Sequence, residues 1–310
     1  KVKNAKRDTK NYYIDLFLGN MNPIFKHENS YKSMIYPDAG FRVLALFRYW
    51  NIIQYYFPYK NLIGEDWKQV LVEFIPKFVK AGNETEYTLS VLELIARIHD
   101  THANIWGGNQ VLEKYIGLKY SALKVNFVEE KAVVVGYFDK ILGKETGLEV
   151  GDVITSVNNI SVEEKVKNNL KITPASNFPT QLREIAQILL RSNDSVINIG
   201  YLHDGIAYAT KIKTYESYNI DLFKKDKDTC FKMINKEIAY IHNGDLKRAY
   251  LPALWKKFKK TKGLIIDLRN YPSDFILYEL SYYLIPSMRK FARSSGGSIT
   301  QPGLFSNLNS

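Results

Sequence analysis

The sequence predicts an α+β multidomain protein with an N-terminal helical unit, a β-rich middle domain and the start of an α/β unit. Two observations predict it. Apolar residues recur at intervals of three and four up to residue 98, and short runs rich in β-branched residues follow residue 107. Because 310 residues are about twice a typical domain length, we expect separate cores in 1–112, 113–215 and 216–310.

The composition narrows the class of protein. Hydrophobic residues make up 45% of the chain and charged residues 24%, as in globular proteins. The single cysteine, Cys230, excludes an internal disulfide and does not support a cysteine-based metal site, so no cofactor is implied. The most apolar segment, 41–57, is interrupted by Arg42 and Arg48 and is too short to span a bilayer. We expect no membrane span.

The net charge of +11 raises the possibility of a nucleic-acid or anionic membrane partner. In the longest basic run, 256–262, the lysines alternate with Trp255 and Phe258, as on the solvated face of a short helix. Aromatic residues do not interleave with the basic ones at a spacing that would stack bases. The sequence therefore predicts no nucleic-acid partner.

The period of the apolar residues from Phe41 to Ile98 predicts three helices. Pro58 closes the first and the stretch 81–83 closes the second, while Asn83 or Thr85 can cap the third. The segment before Phe41 has little periodicity and is predicted to be an extended or partly ordered lead-in.

The middle domain carries the most specific motif of the chain. Two β-rich runs, 123–128 and 132–138, flank the short turn 129–131 and predict a hairpin. The motif Gly147-Leu-x-x-Gly151-Asp152-Val-Ile-x-x-Val157-Asn158 follows. Gly151 suits a turn with positive φ, and Asp152 is expected to bond to the backbone after it. A helix over 180–190 and strands over 196–201 and 206–212, across the turn 203–205, complete the domain.

This middle domain resembles the PDZ domain over about residues 114–215. The resemblance implies a groove in which a peptide adds as an extra strand, with its terminal carboxylate held by backbone N–H groups. The loop that would hold the carboxylate is here 119–123, and it gives Ser121, Ala122 and Leu123 as candidate peptide-binding residues. This loop lacks the glycines that the family often has, and a purely structural module is the alternative.

The third domain begins as a strand, a helix and a strand, over 236–242, 246–259 and 263–269. This order predicts a parallel βαβ unit. After Pro286 the chain is rich in Ser and Gly, and no further strong element is predicted.

Three helices that end in Asp100-Thr101-His102, a PDZ-like domain and the strand Gly-Leu-Ile-Ile-Asp-Leu-Arg269 follow one another over about residues 40–285. This order resembles the C-terminal-processing, or tail-specific, serine protease family, and more closely its tricorn-core-like branch. The resemblance implies that His102 is the general base of a serine triad and that Thr101 takes the place of the adjacent hydroxyl residue. The alternative for a lone histidine is a hydrogen-bonded structural role.

The chemistry suits the implied role, because a serine hydroxyl needs an imidazole that titrates near neutral pH to accept its proton. His99, one helical turn earlier, is expected to cap the helix or to face solvent. Asp100 is expected to terminate the helix rather than to orient His102.

The resemblance also implies an oxyanion-hole donor in the loop after the second strand of the third domain. That loop is Asn270-Tyr271-Pro272-Ser273-Asp274, where the family usually has an Asn-x-Gly-Gly turn. Proline has no N–H to donate. The donor is then Tyr271, Ser273 or Asp274, and we choose Ser273. His102 should line a cleft beside the strand 264–269, within about 15 Å of Ser273, since both must reach one carbonyl. Asp267 and Arg269 are interpreted as a structural pair.

The family places its nucleophile in a Ser-x-Ala/Gly-Asp/Glu turn after a strand, and no serine here stands in that context. Ser90 and Ser161 match the motif loosely, and Ser294, Ser295 and Ser298 lack the acidic partner. We expect the chain to stop before the serine and the acidic triad residue, as a fragment or a degenerate member. The resemblance implies a serine endopeptidase acting on peptides or unfolded proteins in the cell envelope, at the periplasm or outer surface. A non-catalytic PDZ-like peptide-binding protein is the alternative.

Overall fold

The computed structural model describes residues 11–17, 22–222, 230–269, 271–287, 289–290, 292 and 294–308. These residues form two compact units, the first within 1–223 and 294–309 and the second within 224–293. Both units mix helices and strands, so the predicted α and β content is confirmed. The boundaries after residues 112 and 215 stay predictions.

The first unit begins with a short hairpin and three helices. Strand β1 (Ile14–Leu16) pairs antiparallel with β2 (Pro23–Phe25), where we expected an irregular lead-in. Helices α1 (Ala39–Tyr56), α2 (Trp67–Lys80) and α3 (Glu84–Ala96) follow and confirm the three predicted helices.

Each of the three helices begins at a side chain that accepts an otherwise unpaired backbone N–H. Asp38 caps α1, Asp66 caps α2 and Asn83 caps α3, so the predicted cap at Asn83 is confirmed. Glu86 supports this cap, because its carboxylate accepts the N–H of Gly82, one residue before the cap, while Asn83 accepts the N–H of Glu86. The apolar faces of these helices enclose a core of Leu46, Trp67, Val70, Phe74, Phe78 and Leu94.

One arginine is buried in this helical core. The guanidinium of Arg42 donates to the carbonyls of Phe78 (2.7 Å), Val79 (2.9 Å) and Pro37 (2.7 Å). Phe78 and Val79 lie in the last turn of α2, where carbonyls have no partner within the helix. Arg42 therefore closes the C-terminal end of α2 from the side of α1, and its cation also lies 4.9 Å from the ring centre of Tyr36.

The second part of the first unit is a seven-stranded sheet. Its strands are β3 (Lys119–Ser121), β4 (Leu123–Val128), β5 (Lys131–Tyr137), β6 (Val153–Val157), β7 (Ile160–Ser161), β8 (Val196–His203) and β9 (Ile206–Glu216). The order is β3-β9-β8-β6-β5-β4, and β7 pairs with β6. The two ends of this order, β3 and β4, are separated by Ala122 alone, so the sheet curls into a nearly closed barrel. Its interior is filled by Val134, Leu148, Ile154, Val157, Ile197, Ile199 and Ile212.

The two predicted hairpins of the barrel are confirmed, and their turns show why. Glu129 and Glu130 connect β4 to β5 with φ of 48° and 63°, and Asp204 and Gly205 connect β8 to β9 with φ of 47° and 80°. Two consecutive residues with positive φ match the twist of the flanking strands.

Four helices accompany the barrel: α4 (Gln110–Ile116), α5 (Lys140–Lys144), α6 (Val162–Leu170) and α7 (Phe178–Ile188). Only α7 was predicted, and it begins and ends two residues earlier than expected because Asn177 caps it. The other three are short, so their apolar period is hard to read from sequence. Helix α7 packs against β4.

The motif around Gly151 forms a turn that holds a buried carboxylate. Gly151 has a φ of 108°, as predicted. Asp152 is 3% exposed, and it bonds to the N–H of Glu149 (2.8 Å) rather than to the backbone after it. Its other oxygen lies 2.7 Å from Nδ1 of His203 at the end of β8. This contact joins the turn before β6 to the end of the neighbouring strand β8.

The pair Asp152–His203 predicts a pH-dependent stability. The hydrogen bond to Asp152 raises the pKa of His203 above its ordinary value. The stabilisation is therefore complete below the pKa of His203 in the unfolded chain, and it is lost as the pH rises through the folded-state pKa. In urea denaturation, the difference between wild type and His203→Asn should be larger at about pH 5.5 than at about pH 8.5. His99→Asn is the control, and equal differences at both pH values would contradict the prediction.

The second unit contains the predicted parallel strands. Strand β10 (Phe231–Met233) pairs antiparallel with β11 (Ile238–His242), which pairs parallel with β12 (Gly263–Asp267). Helices α8 (Leu251–Phe258) and α9 (Leu277–Leu284) pack beside them. The parallel βαβ prediction is confirmed.

Helix α8 begins five residues later than the predicted start at residue 246. Pro252 lies in its first turn. A proline in the interior of a helix would remove a hydrogen bond and clash with the preceding turn, whereas the first turn tolerates it. A single 3-10 turn, Arg248–Tyr250, precedes the helix.

The C-terminal part of the chain forms a hairpin that the sequence did not predict. Strands β13 (Ser294–Gly297) and β14 (Phe305–Leu308) pair antiparallel and belong to the first unit. The N–H of Gly303 donates to the carbonyl of Tyr55 in α1 (2.9 Å). Within the described part of the chain, no helix combines the length and apolar character needed to cross a bilayer.

Candidate active site

Helix α3 leads directly into the histidine turn. Leu94, Ile95 and Ile98 are buried and anchor the end of the helix to the core. His99 is exposed and has a φ of 54°, a left-handed conformation that ends the helical path. It therefore faces solvent, as expected. The helix ends at Ala96, so Asp100 does not terminate it.

Asp100 and His102 form the centre of the turn. One carboxylate oxygen of Asp100 accepts the backbone N–H of His102 (2.8 Å) and lies 3.2 Å from Nδ1 of the same residue. The carbonyl of Asp100 accepts the N–H of Ala103 (3.1 Å), which closes the turn. Asp100 was expected to terminate the helix rather than to orient His102, but its side chain lies beside the imidazole. An aspartate two residues before the histidine forms an Asx turn that brings its side chain beside the ring.

The turn is fixed to the barrel by two hydroxyl groups. The Oγ1 of Thr101 lies 2.9 Å from the Oγ of Ser176 and accepts the N–H of Ser176 (3.0 Å). Ser176 immediately precedes Asn177, the cap of α7. Thr101 therefore ties the histidine turn to the start of α7.

The imidazole of His102 is open to solvent. Its side chain is 98% exposed, whereas the side chain of Asp100 is 33% exposed. The carbonyl of His102 accepts the indole N–H of Trp106 (3.0 Å), so the backbone on the C-terminal side of the turn is also held. An imidazole on a fixed turn and fully accessible can exchange a proton with a bound group.

A tyrosine hydroxyl lies buried near Asp100. The Oη of Tyr49 has no hydrogen-bond partner among the described residues. Burial raises the pKa of Tyr49 well above its ordinary value, and the negative charge of Asp100 adds to the shift. Tyr49 therefore stays protonated beside the turn.

Replacing Tyr49 with phenylalanine is expected to raise the free energy of unfolding by about 1 kcal/mol, because an unsatisfied buried hydroxyl is costly. Tyr36→Phe is expected to lower the free energy of unfolding instead, since the Tyr36 hydroxyl donates to the carbonyl of Ala81 (2.7 Å). Urea denaturation of both variants measures the two changes. A loss of stability in Tyr49→Phe would contradict the prediction and would mean that the hydroxyl has a partner.

Ser273 is held by two hydrogen bonds within the second unit. Its N–H donates to the carbonyl of Asn243 (3.3 Å), and its Oγ donates to the carbonyl of Leu246 (2.8 Å). An oxyanion would compete with Asn243 for this N–H. Tyr271, another donor considered, is 91% exposed. The role of Ser273 stays a prediction, and Asn270 lies outside the described residues.

Asp267 and Arg269 form the ion pair that was predicted. The guanidinium donates to both carboxylate oxygens, at 2.9 and 2.6 Å. The hydroxyl of Tyr240 donates to the same carboxylate (2.7 Å). The hydrogen bonds from Arg269 and Tyr240 hold the pKa of Asp267 well below its usual range. This carboxylate is saturated with donors.

The three candidate peptide-binding residues lie where the barrel closes. Ser121, Ala122 and Leu123 are 4%, 0% and 3% exposed. The N–H of Leu123 donates to the Oγ of Ser121 (3.1 Å), and the carbonyl of Ala122 accepts the N–H of Phe138 (2.8 Å). A bound carboxylate would have to displace Ser121 from the N–H of Leu123. Their peptide-binding role stays a prediction.

The serines that match the nucleophile motif loosely have local structural roles. Ser90 lies on α3 and donates to the carbonyl of Glu86 (2.7 Å), and Ser161 caps α6. Ser294 and Ser295 lie on β13. Ser161 ends β7 and caps α6, so it does stand between a strand and a helix, contrary to expectation, but its Oγ accepts the N–H of Glu164 (3.1 Å). His102 and Ser273 belong to different units, and the shared cleft stays a prediction.

The fold of the chain is similar to that of part of CPAF. The crystal structure of mature CPAF matches with a TM-score of 0.52 and 13% identity over 77% of this chain and 57% of CPAF. A mutant of CPAF matches with a TM-score of 0.55 and 12% identity, over 79% of this chain and 58% of the mutant. The chain therefore spans somewhat more than half the length of CPAF.

The photosystem II D1 C-terminal processing protease overlaps 86% of the chain, and 70% of its own length, with a TM-score of 0.35 and 12% identity. An overlap this weak supports no conclusion about the chain. No protein-family model and no curated protein matches the sequence. The fold similarity leaves the activity to be argued from the site.

Proposed function

We propose that this chain is part of a serine endopeptidase of the C-terminal-processing type, in its tricorn-core-like branch, with His102 as the general base. The observation that carries the proposal is the imidazole of His102, which is 98% exposed on a turn that Asp100 and Thr101 hold by hydrogen bonds. A general base must reach its proton donor and keep its orientation. A histidine with only a structural role would be expected to be buried, with both ring nitrogens hydrogen-bonded to neighbouring residues.

The reaction proposed is the attack of a serine hydroxyl on a peptide carbonyl. The imidazole of His102 accepts the hydroxyl proton and passes it to the leaving amine, while backbone N–H groups stabilise the negative oxygen. We place the serine in a part of the protein outside this sequence, and Ser273 is proposed as one N–H donor. Its bond to the carbonyl of Asn243 would then open when substrate binds.

The barrel is proposed as the PDZ-like docking module for the substrate tail. Helix α7 packs against β4, the pair of elements between which a peptide strand would add. Ser121, Ala122 and Leu123 are proposed to receive the terminal carboxylate. The substrates proposed are peptides or unfolded proteins, and the compartment proposed from the family resemblance is the cell envelope.

A non-catalytic peptide-binding protein is the second candidate. It is favoured by the Ser273 N–H, which is already bonded within its own unit. It predicts binding without cleavage in the full-length protein as well. The two candidates therefore differ in the reactivity of a serine, which can be measured.

The test uses the full-length protein and a fluorophosphonate probe, which labels an activated serine. Labelling of one serine that is lost in His102→Ala and kept in His99→Ala supports the peptidase. Peptides with a free carboxylate and the same peptides with a terminal amide are titrated in parallel by calorimetry. Binding of the carboxylate form without labelling supports the second candidate, and neither binding nor labelling overturns both.

A further inference from the structure

The contact between Asp100 and His102 determines which ring nitrogen carries the proton. An ionised carboxylate can only accept hydrogen bonds. The ring nitrogen that faces it, Nδ1 at 3.2 Å, must therefore be the donor in a favourable contact. In the opposite tautomer, lone pairs on Nδ1 and on the carboxylate oxygen would face each other. In the neutral ring, Nε2 then carries the free lone pair.

The position of the carboxylate is not free to adjust. The same oxygen of Asp100 is held by the backbone N–H of His102 (2.8 Å), and the carbonyl of Asp100 is bonded to the N–H of Ala103 (3.1 Å). Thr101 is held by Ser176, and the carbonyl of His102 by Trp106. Every residue of the turn is thus fixed through a bond that does not involve the imidazole. The orientation of the ring depends on Asp100.

We infer that Asp100 is a positioning residue for His102: it holds the Nδ1–H tautomer and leaves Nε2 as the base. The consequence for catalysis rests on the proposed function, whereas the tautomer itself rests on the turn alone. A base with its lone pair on Nε2 and its Nδ1–H on a carboxylate is the state that takes a proton from a hydroxyl nucleophile. The acidic partner of the base then lies in the histidine turn itself.

His99 provides an internal reference for this inference. It is exposed, three residues away, and its ring has no hydrogen-bond partner within the described part of the chain. Its tautomers are therefore set by water. Both residues are observed in one spectrum, and the difference between their tautomer ratios measures the effect of the Asp100 carboxylate.

The test is ¹⁵N NMR of the histidine rings in this chain, at about pH 9, well above the ordinary pKa of an imidazole. In the wild type, Nδ1–H is expected to be the major form of His102. In Asp100→Asn the amide oxygen can still accept the backbone N–H, so the turn is kept while the negative charge is lost. A neutral amide oxygen accepts the Nδ1–H more weakly than a carboxylate does, so the Nδ1–H fraction of His102 should fall toward that of His99. Asp194→Asn, which removes an exposed carboxylate far from the histidine turn in sequence, should leave the Nδ1–H fraction of His102 unchanged.

Two further measurements keep the result interpretable. Unchanged thermal unfolding and circular dichroism of Asp100→Asn establish that the turn is intact, and Asp100→Ser should repeat the loss because a hydroxyl also forms this kind of turn. In the full-length protein, Asp100→Asn should lower kcat by up to about 10⁴-fold with KM unchanged. A structural role alone would not shift the tautomer.

The outcomes separate this inference from the proposed function. His102 with the tautomer ratio of His99 in the wild type, or a ratio that does not change in Asp100→Asn, overturns the positioning role even if a serine is labelled by the probe. A ratio that shifts as expected supports the positioning role even if the probe labels no serine. In that second case only the peptidase function fails.

Discussion

Replacing His102 with alanine in the full-length protein is expected to lower kcat for peptide hydrolysis by about 10⁴- to 10⁶-fold. The imidazole would be the group that takes the proton of the nucleophile, and triad residues act as a unit, so losing one removes most of the rate enhancement. The residual rate should come from substrate binding and the oxyanion donors. Progress curves with a quenched fluorescent peptide measure kcat and KM.

The matched control is His99→Ala, which removes a second exposed imidazole from the same turn. It should leave kcat within about twofold, as expected for a residue without contact to the reaction. We also expect the 310-residue chain alone to hydrolyse no peptide bond, because its sequence contains no Ser-x-Ala/Gly-Asp/Glu motif. Cleavage by this chain that disappears in His102→Ala would refute that expectation and would place the nucleophile within the sequence.

Replacing Arg42 with leucine is expected to lower the free energy of unfolding by at least about 3 kcal/mol. Three carbonyls, those of Pro37, Phe78 and Val79, would lose their donor. Each buried group left without a partner costs about 1–3 kcal/mol, and the apolar area gained by leucine offsets part of this loss. Urea denaturation followed by circular dichroism measures the change.

Arg48→Leu is the control, because Arg48 lies on the same helix and its contacts, with Glu28, Asn29 and the ring of Tyr31, are partly exposed. Arg48→Leu should lower the free energy of unfolding by less than about 1 kcal/mol, since exposed ion pairs contribute little. Arg42→Lys should lie between the two, because one ammonium group cannot reproduce the planar fork of a guanidinium. Equal losses for Arg42→Leu and Arg48→Leu would contradict the role of Arg42 at the end of α2.

The elements that the sequence predicted correctly are those that depend on residues close together in the chain. The cap at Asn83 and the turn at Asp204 and Gly205 depend on side-chain chemistry within a few residues. The helices α1 to α3 have a clear apolar period because a large core lies on one side of each. Sequence alone was sufficient for these features.

The strands that the sequence missed are stabilised by their partners. Strand β13 consists of two serines and two glycines, residue types with little β-propensity, and it exists through its pairing with β14. The same holds for β1 and β2, which have three residues each. Such strands can be found only when the partner strand is known.

For the candidate site, residue types and spacing singled out His102, and the family resemblance implied its role. Asp100 was interpreted as a helix terminator, although the spacing Asp-x-His is the local signal of the turn that joins the two side chains. Ser176 gave no signal at all. It is 75 residues from Thr101, and only the packing of the barrel against the helices brings the two hydroxyls together.

The sequence by itself determined the order of helical and β-rich segments, the cap of α3, the turns of two hairpins, and the histidine that follows α3. These features follow from interactions between neighbours in the chain. Only the tertiary structure decided that Arg42 closes α2, that Asp152 meets His203, and that Thr101 meets Ser176. Each of these bonds joins residues 36 to 75 positions apart, and their formation depends on how the cores bring distant backbone segments into register.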